Sequence, residues 1–244
     1  MSPAYWHLLL ELIAYALGFQ IFRYERRRYP TTAALTRSAQ LALIAGAILG
    51  AAIAARLSWW LEDPLTAFAE FPNALNLMGG KSILGGLLGG VAGVELAKWR
   101  VGVRASTGDA FVWPIIIALS IGRIGCHLAG LSDHTAGLPT SSVFGIDYGD
   151  GVLRHPTALY EIVFLLGCGG AISAVAPHLR VRGDRFRLLM LGYCVWRLII
   201  ESLKPIPQVY ALGLSGLQWL ALLGIVYYAR SLPRMLRGLP EHPA

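Results

Sequence analysis

Ala110-Phe111-Val112-Trp113-Pro114-Ile115-Ile116-Ile117-Ala118-Leu119-Ser120-Ile121-Gly122-Arg123-Ile124-Gly125-Cys126-His127-Leu128-Ala129-Gly130 is an apolar run with one permanent charge, Arg123, in its second half. Its length of about 20 residues lets a helix cross the hydrocarbon core of a bilayer. A guanidinium at such depth costs roughly 3 kcal/mol unless it faces a cavity, an acidic partner or an anionic ligand. One stretch therefore predicts both a membrane helix and a functional residue. Arg56 and Arg197 stand in similar surroundings, and the same reasoning makes them candidates.

The rest of the chain agrees in character. Its 244 residues are 55% hydrophobic and 14% charged, too apolar for an ordinary soluble domain. The apolar runs predict an all-α polytopic membrane protein, a single integral domain over residues 1–244. Its helices are expected at about 5–22, 39–60, 82–99, 110–130, 157–176, 187–203 and 212–230. The net charge of +7 would suit nucleic acid, but the placement of the basic residues argues against that partner. Arg23, Arg26, Arg27, Arg28 and Arg37 follow the first run, and Lys98, Arg100 and Arg104 the third. Arg180, Arg182, Arg185 and Arg187 follow the fifth, and Arg230, Arg234 and Arg237 the last. The intervening loops carry Glu62, Asp63, Glu70, Asp133, Asp147 and Asp150 against Lys81, Arg154 and Lys204. By the positive-inside rule the amino terminus lies outside and the carboxyl terminus in the cytoplasm. The first run is followed, not preceded, by its basic cluster, so it is expected to stay as an anchor.

Within this frame two segments have a texture of their own. Leu131 to His155 is rich in turn residues, with Gly137, Pro139, Gly145, Gly149 and Gly151, and reads as an outer loop ordered by Val143, Phe144, Ile146 and Tyr148. In the third helix Gly85, Gly89 and Gly93 recur every fourth residue, which lets a neighbouring backbone approach closely. Gly80-Lys81-Ser82 is not a nucleotide phosphate loop, because Leu75 stands where that loop needs glycine. Cys126, Cys168 and Cys194 lack the spacing of a zinc site or a disulfide framework, and no metal or cofactor is expected.

The expected topology brings the polar groups to one depth. Arg123 lies in the outer half of the fourth helix, and Arg154-His155-Pro156-Thr157-Ala158-Leu159-Tyr160-Glu161 opens the fifth from outside. Tyr193, Arg197 and Glu201, spaced by four, project from one face of the sixth. Two arginines can grip a phosphodiester through paired hydrogen bonds that lysine cannot reproduce. The alternative is an internal network in which Arg197 pairs with Glu201 or Glu161. Arg56, close to Glu62 and Asp63, also fits a snorkelling role. His155 is a candidate acid or base at a helix mouth, Tyr160 and Glu161 are candidates to orient other groups, and Gln218 is expected to cap or pack the last helix.

Taken in order, these pieces resemble the prolipoprotein diacylglyceryl transferase family of the bacterial inner membrane. The resemblance rests on Gly79-Gly80-Lys81-Ser82 with Gly85-Gly86, on Gly122-Arg123-Ile124-Gly125, and on Arg154 to Glu161. It continues in Tyr193, Arg197 and Glu201, and in Gly213-Leu214-Ser215 with Gln218. It implies transfer of diacylglycerol from phosphatidylglycerol to the lipobox cysteine of a prolipoprotein signal peptide, with release of glycerol phosphate. It also implies catalytic roles for Arg123, Arg197, Tyr193, Glu201 and His155. Substrate contacts are expected from Tyr15, Arg56, Gly79, Gly80, Ser82, Gly85, Gly86, Gly122, Gly125, Tyr160 and Glu161. The chain departs from the family at Leu84, where a histidine is expected, at Cys126, where an asparagine is expected, and at Ala129-Gly130-Leu131 in place of asparagine-glycine-glutamate. These losses touch proton removal from the thiol more than grip on the phosphate. Two other readings stay open: a related phospholipid-dependent transferase with another acceptor, and a non-catalytic lipid-binding or transport protein.

Overall fold

The computed structural model describes residues 3–30, 35–69, 80, 82–133 and 135–237. Among these the chain is mostly helical and separates into two compact units. Unit 1 comprises Met1–Thr31, Ser106–Pro205 and Tyr228–Ala244, and unit 2 comprises Thr32–Ala105 and Ile206–Tyr227. Arg37–Glu62, Asp109–Ser132 and Thr157–His178 are long and apolar enough to cross a membrane.

Unit 1 is built on α1 (Pro3–Arg28), α5 (Val112–Ala129), α6 (Thr157–Val175) and α7 (Asp184–Ile200). α1 packs on α5, α5 on α6 and α6 on α7. The register of α5 against α6 steps evenly from one end to the other. The Trp113 indole donates to Ser173 at 3.1 Å, a side chain at Gly169 would crowd Ile116, and Arg123 meets Glu161 at 2.8 Å. Between α6 and α7, Phe164 stacks on Trp196 with ring centroids 4.6 Å apart. α1 continues past residue 22, where the sequence suggested an end, because Arg26, Arg27 and Arg28 complement the negative end of the helix dipole.

The segment between α5 and α6 opens with a 3-10 turn, Gly130–Asp133, and then leaves the helical pattern, a local departure from the all-α expectation. β1 (Ile146–Asp147) and β2 (Leu153–Arg154) form an antiparallel hairpin. Its turn is closed by Asp147, whose carboxylate accepts from the N–H groups of Gly149, Asp150 and Gly151. Arg154 pairs with Asp150 and holds that carboxyl below its ordinary pKa. The strand-like stretch before the hairpin ties back to the helices: the Leu138 N–H donates to the Leu203 carbonyl at 2.8 Å, and the Gly137 N–H to that of His155 at 2.9 Å.

Unit 2 is organised by α2 (Arg37–Glu62) and α4 (Ile83–Val101), with the short α3 (Pro64–Ala69) after α2. Their seam is made of glycine. Any side chain at Gly89 would overlap the Gly50 carbonyl, and one at Gly93 would overlap that of Gly46. The expected close approach of backbones is therefore present along α4. Ser82 caps α4 by accepting from the Gly85 N–H at 3.3 Å. α8 (Gly216–Ala229) starts later than expected from the apolar run. Leu212 and Gly213 take positive φ, and Ser215 and Gln218 cap the helix reciprocally at 2.9 and 3.1 Å. α9 (Leu232–Leu236) closes the described chain in unit 1, where Arg234 pairs with Asp184 at 2.6 Å.

Candidate functional site

Unit 1 gathers five of the expected residues into one buried cluster. Arg123 comes from α5, Glu161 from the second turn of α6, Tyr193 and Arg197 from one face of α7, and Glu201 from the helical turn that continues it. All are 5% exposed or less, so each charge must be met inside the protein.

Glu161 is the hub. One of its carboxylate oxygens accepts the Tyr193 hydroxyl at 2.7 Å, and the other faces Arg123 at 2.8 Å and Arg197 at 3.8 Å. Glu201 holds the far side of Arg197 at 2.6 Å. The internal network considered from the sequence is therefore present. It is also incomplete: among the described residues the buried Nε–H groups of Arg123 and Arg197 have no acceptor. An unmet buried donor costs about 1–3 kcal/mol, more when charged. Two such donors therefore stand in this one buried cluster.

Lys204 enlarges the cluster, and sequence reasoning counted it only as an outer-loop charge. It follows Glu201 by three residues, so it extends the Tyr193, Arg197, Glu201 stripe, a spacing that could have found it. The loop bond to the Leu203 carbonyl fixes the backbone beside it. Its ammonium has no carboxylate within 4.0 Å among the described residues, while burial, followed by the charge of Arg197, pushes its pKa down to about 8.

Other expected residues lie apart from the arginine pair. The His155 ring makes a 3.3 Å contact with the Tyr160 hydroxyl, a pair just outside the cluster. Cys126 follows Arg123 by three residues, about one helical turn, and its sulfur lies 3.8 Å from the guanidinium. Gly125 is buried on the same helix, whereas a side chain at Gly122 would meet nothing within 4 Å. Tyr15 is 65% exposed on α1 and donates to Glu11. In unit 2, Arg56 donates to the Gly80 carbonyl at 2.8 Å. Gly80 has φ of 48° and lies against the Trp59 ring, where a side chain would not fit. Gly85 and Gly86 face α2, at Ser58 and Ala55, and belong to the helix seam. Gly79 and Lys81 lie outside the described residues.

Residues 2–232 match the family model described as prolipoprotein diacylglyceryl transferase. Among similar curated proteins, the phosphatidylglycerol–prolipoprotein diacylglyceryl transferase of Bordetella parapertussis is 27% identical, over 89% of this chain and 86% of its own. The proteins of the same name from Nitrosomonas europaea and Legionella pneumophila are 29% and 28% identical, covering 89% and 96% of this chain and 80% and 90% of theirs.

Proposed function

Because the chain belongs to the prolipoprotein diacylglyceryl transferase family, we propose that it moves a diacylglyceryl group from phosphatidylglycerol to the lipobox cysteine thiol of a prolipoprotein. The observation that carries the site is the pair of acceptor-free Nε–H groups on Arg123 and Arg197. The phosphodiester takes those two donors, while Glu161 and Glu201 hold the two guanidinium groups through their Nη2 atoms.

The cysteine sulfur attacks the glyceryl carbon, a carbon–sulfur bond forms and the carbon–oxygen bond to phosphate breaks. The bonding electron pair leaves on the phosphate oxygen, so the single negative charge of the diester grows toward that of a monoester. The two arginines are aimed at this growth of charge. The thiol proton goes to Lys204, whose amine is neutral in part near pH 7 because its pKa lies at about 8. This assignment supplies a proton acceptor in a chain that has Leu84 where the family resemblance implies histidine. Tyr193 fixes the Glu161 carboxylate through its hydroxyl and thereby the separation of the arginines.

The positive-inside pattern supports seven spans in the bacterial inner membrane, amino terminus outside, carboxyl terminus in the cytoplasm, with the cluster at the outer leaflet. We read residues 1–244 as one functional transferase domain, since the family match runs through both units. The test is incubation of the purified protein with phosphatidylglycerol and a lipobox peptide. A mass gain of one diacylglyceryl group on the peptide is expected; phospholipid cleavage with the peptide unmodified points to another acceptor, and neither product rejects the transferase reading.

A further inference from the structure

At the opposite ends of α5 and α7 from the arginine pair, unit 1 has a second basic site that the transfer reaction does not use. A cavity of about 100 Å³, room for several waters, is lined by Arg28, Tyr29, Ser106, Thr107, Asp109 and Arg182, among others. Its walls are tied together. Arg182 donates to the Pro30 carbonyl at 2.8 Å, and Arg185 sits 3.7 Å over the Tyr29 ring while pairing with Glu25 at 3.3 Å. The one acidic lining group is already occupied: Asp109 accepts from the Gly183 N–H at 2.6 Å and the Phe186 N–H at 3.3 Å.

The cationic side is not occupied in the same way. Among the described residues Arg28 and Arg182 have no carboxylate partner, and the hydroxyls of Ser106 and Thr107 make no hydrogen bond. Beside them the buried Arg185 keeps an Nε–H without an acceptor. Two guanidinium groups and two hydroxyl donors around a small concavity match the oxygens of a phosphate group. On the proposed topology this cavity opens at the cytoplasmic surface, where anionic lipid headgroups concentrate and basic pockets between helices hold them.

We propose that this cavity binds a phosphate group at the cytoplasmic face, either the headgroup phosphate of an anionic lipid or free phosphate. The site is separate from the transfer site, so its test does not depend on the transferase reading. The full chain in neutral detergent is melted against inorganic phosphate at constant ionic strength, and separately against phosphatidic acid in mixed micelles. Melting should rise by a few degrees with the source that binds: with both if free phosphate enters, with the lipid alone if the site needs a headgroup anchored in the bilayer. Arg28→Ala and Arg182→Ala should each weaken the apparent affinity about tenfold or more. Among the described residues the Arg28 guanidinium makes no hydrogen bond or ion pair and lies 5.9 Å from the Tyr29 ring centroid, so its variant keeps the test decisive if loss of the Arg182 contact to Pro30 impairs folding. No rise with either source in the wild type, or a full rise in Arg28→Ala, overturns the proposal.

Discussion

The α2–α4 pair of unit 2 and the α5–α6–α7 group of unit 1 solve the same problem, helices holding to helices in lipid, by opposite means. α2 and α4 meet through glycines whose backbones nearly touch, with Gly50 against Gly89 and Gly46 against Gly93. Their stability rests on dispersion over a smooth seam. α5, α6 and α7 meet through Arg123, Glu161, Tyr193 and Arg197, which costs desolvation and is recovered only while each charge keeps its partner. A seam of glycine has no spare valence. Among the described residues the charged group retains two guanidinium N–H donors without acceptors, and on the proposed function these are the donors a phosphate would take.

The largest effect is expected where the seam is blocked. Gly89→Leu places a side chain into the Gly50 carbonyl and the Ala54 methyl, atoms that cannot move without separating the helices. Little or no folded protein should be recovered after detergent extraction, judged by monodispersity and melting. A well-behaved Gly89→Leu protein would show that α2 and α4 are not held by this contact.

Next come Arg123→Lys and Arg197→Lys, which keep the charge and lose the planar fork. Turnover should fall by about 10²-fold or more, as for one lost oxyanion donor, with melting close to wild type because lysine still neutralises Glu161. Near-normal turnover combined with lowered melting in both variants would reverse the contrast drawn above and make the arginines braces.

Much of this architecture was legible because the forces that set it are local. Apolar runs located the long helices, and four-residue spacing put Tyr193, Arg197 and Glu201 on one face, where they are. Four-residue glycine spacing likewise marked the seam, and Gly85 and Gly86 also face α2. The hairpin at Ile146–Arg154 was invisible, since strands of two residues have no period to read. Glu161 was legible as a partner for Arg197, but its closer pairing with Arg123 was hidden: nothing local says which acidic residue that arginine will meet. For Arg56, depth in an apolar run could not show that the Gly80 carbonyl would accept from it at 2.8 Å.

A smaller effect is expected at Lys204. Lys204→Arg keeps a cation that cannot release its proton, so turnover at pH 7 should drop about tenfold or more if the amine accepts the thiol proton. Near-normal turnover at that pH would remove Lys204 from the proton step. Stability gives a second reading with its own sign. The folded amine, with a pKa of about 8 against an ordinary 10.5, has released its proton between those values while the unfolded chain still holds one. The wild type should therefore gain stability relative to Lys204→Met as pH rises from about 8 to about 10.5, and show no difference in slope below that window. Parallel melting curves across it would mean that the amine is ordinary in the folded state.

The smallest and most discriminating effect concerns Leu84, which is fully buried at the start of α4 in unit 2. Leu84→His introduces the side chain that the family resemblance places there, at the cost of an imidazole in an apolar position, about 1–3 kcal/mol if no partner is found. Melting should fall by a few degrees. If the histidine that the family resemblance implies serves the proton step, transfer to a lipobox peptide should nonetheless rise modestly, without tighter phospholipid binding. The same substitution made on Lys204→Met sharpens the comparison between the two units: if position 84 serves the proton step, the histidine should recover part of what the lysine variant lost, and the two changes will not be additive. Lower melting with no gain in transfer in either background would assign Leu84 to the packing of α4 alone and leave the chemistry of this chain to the charged group of unit 1.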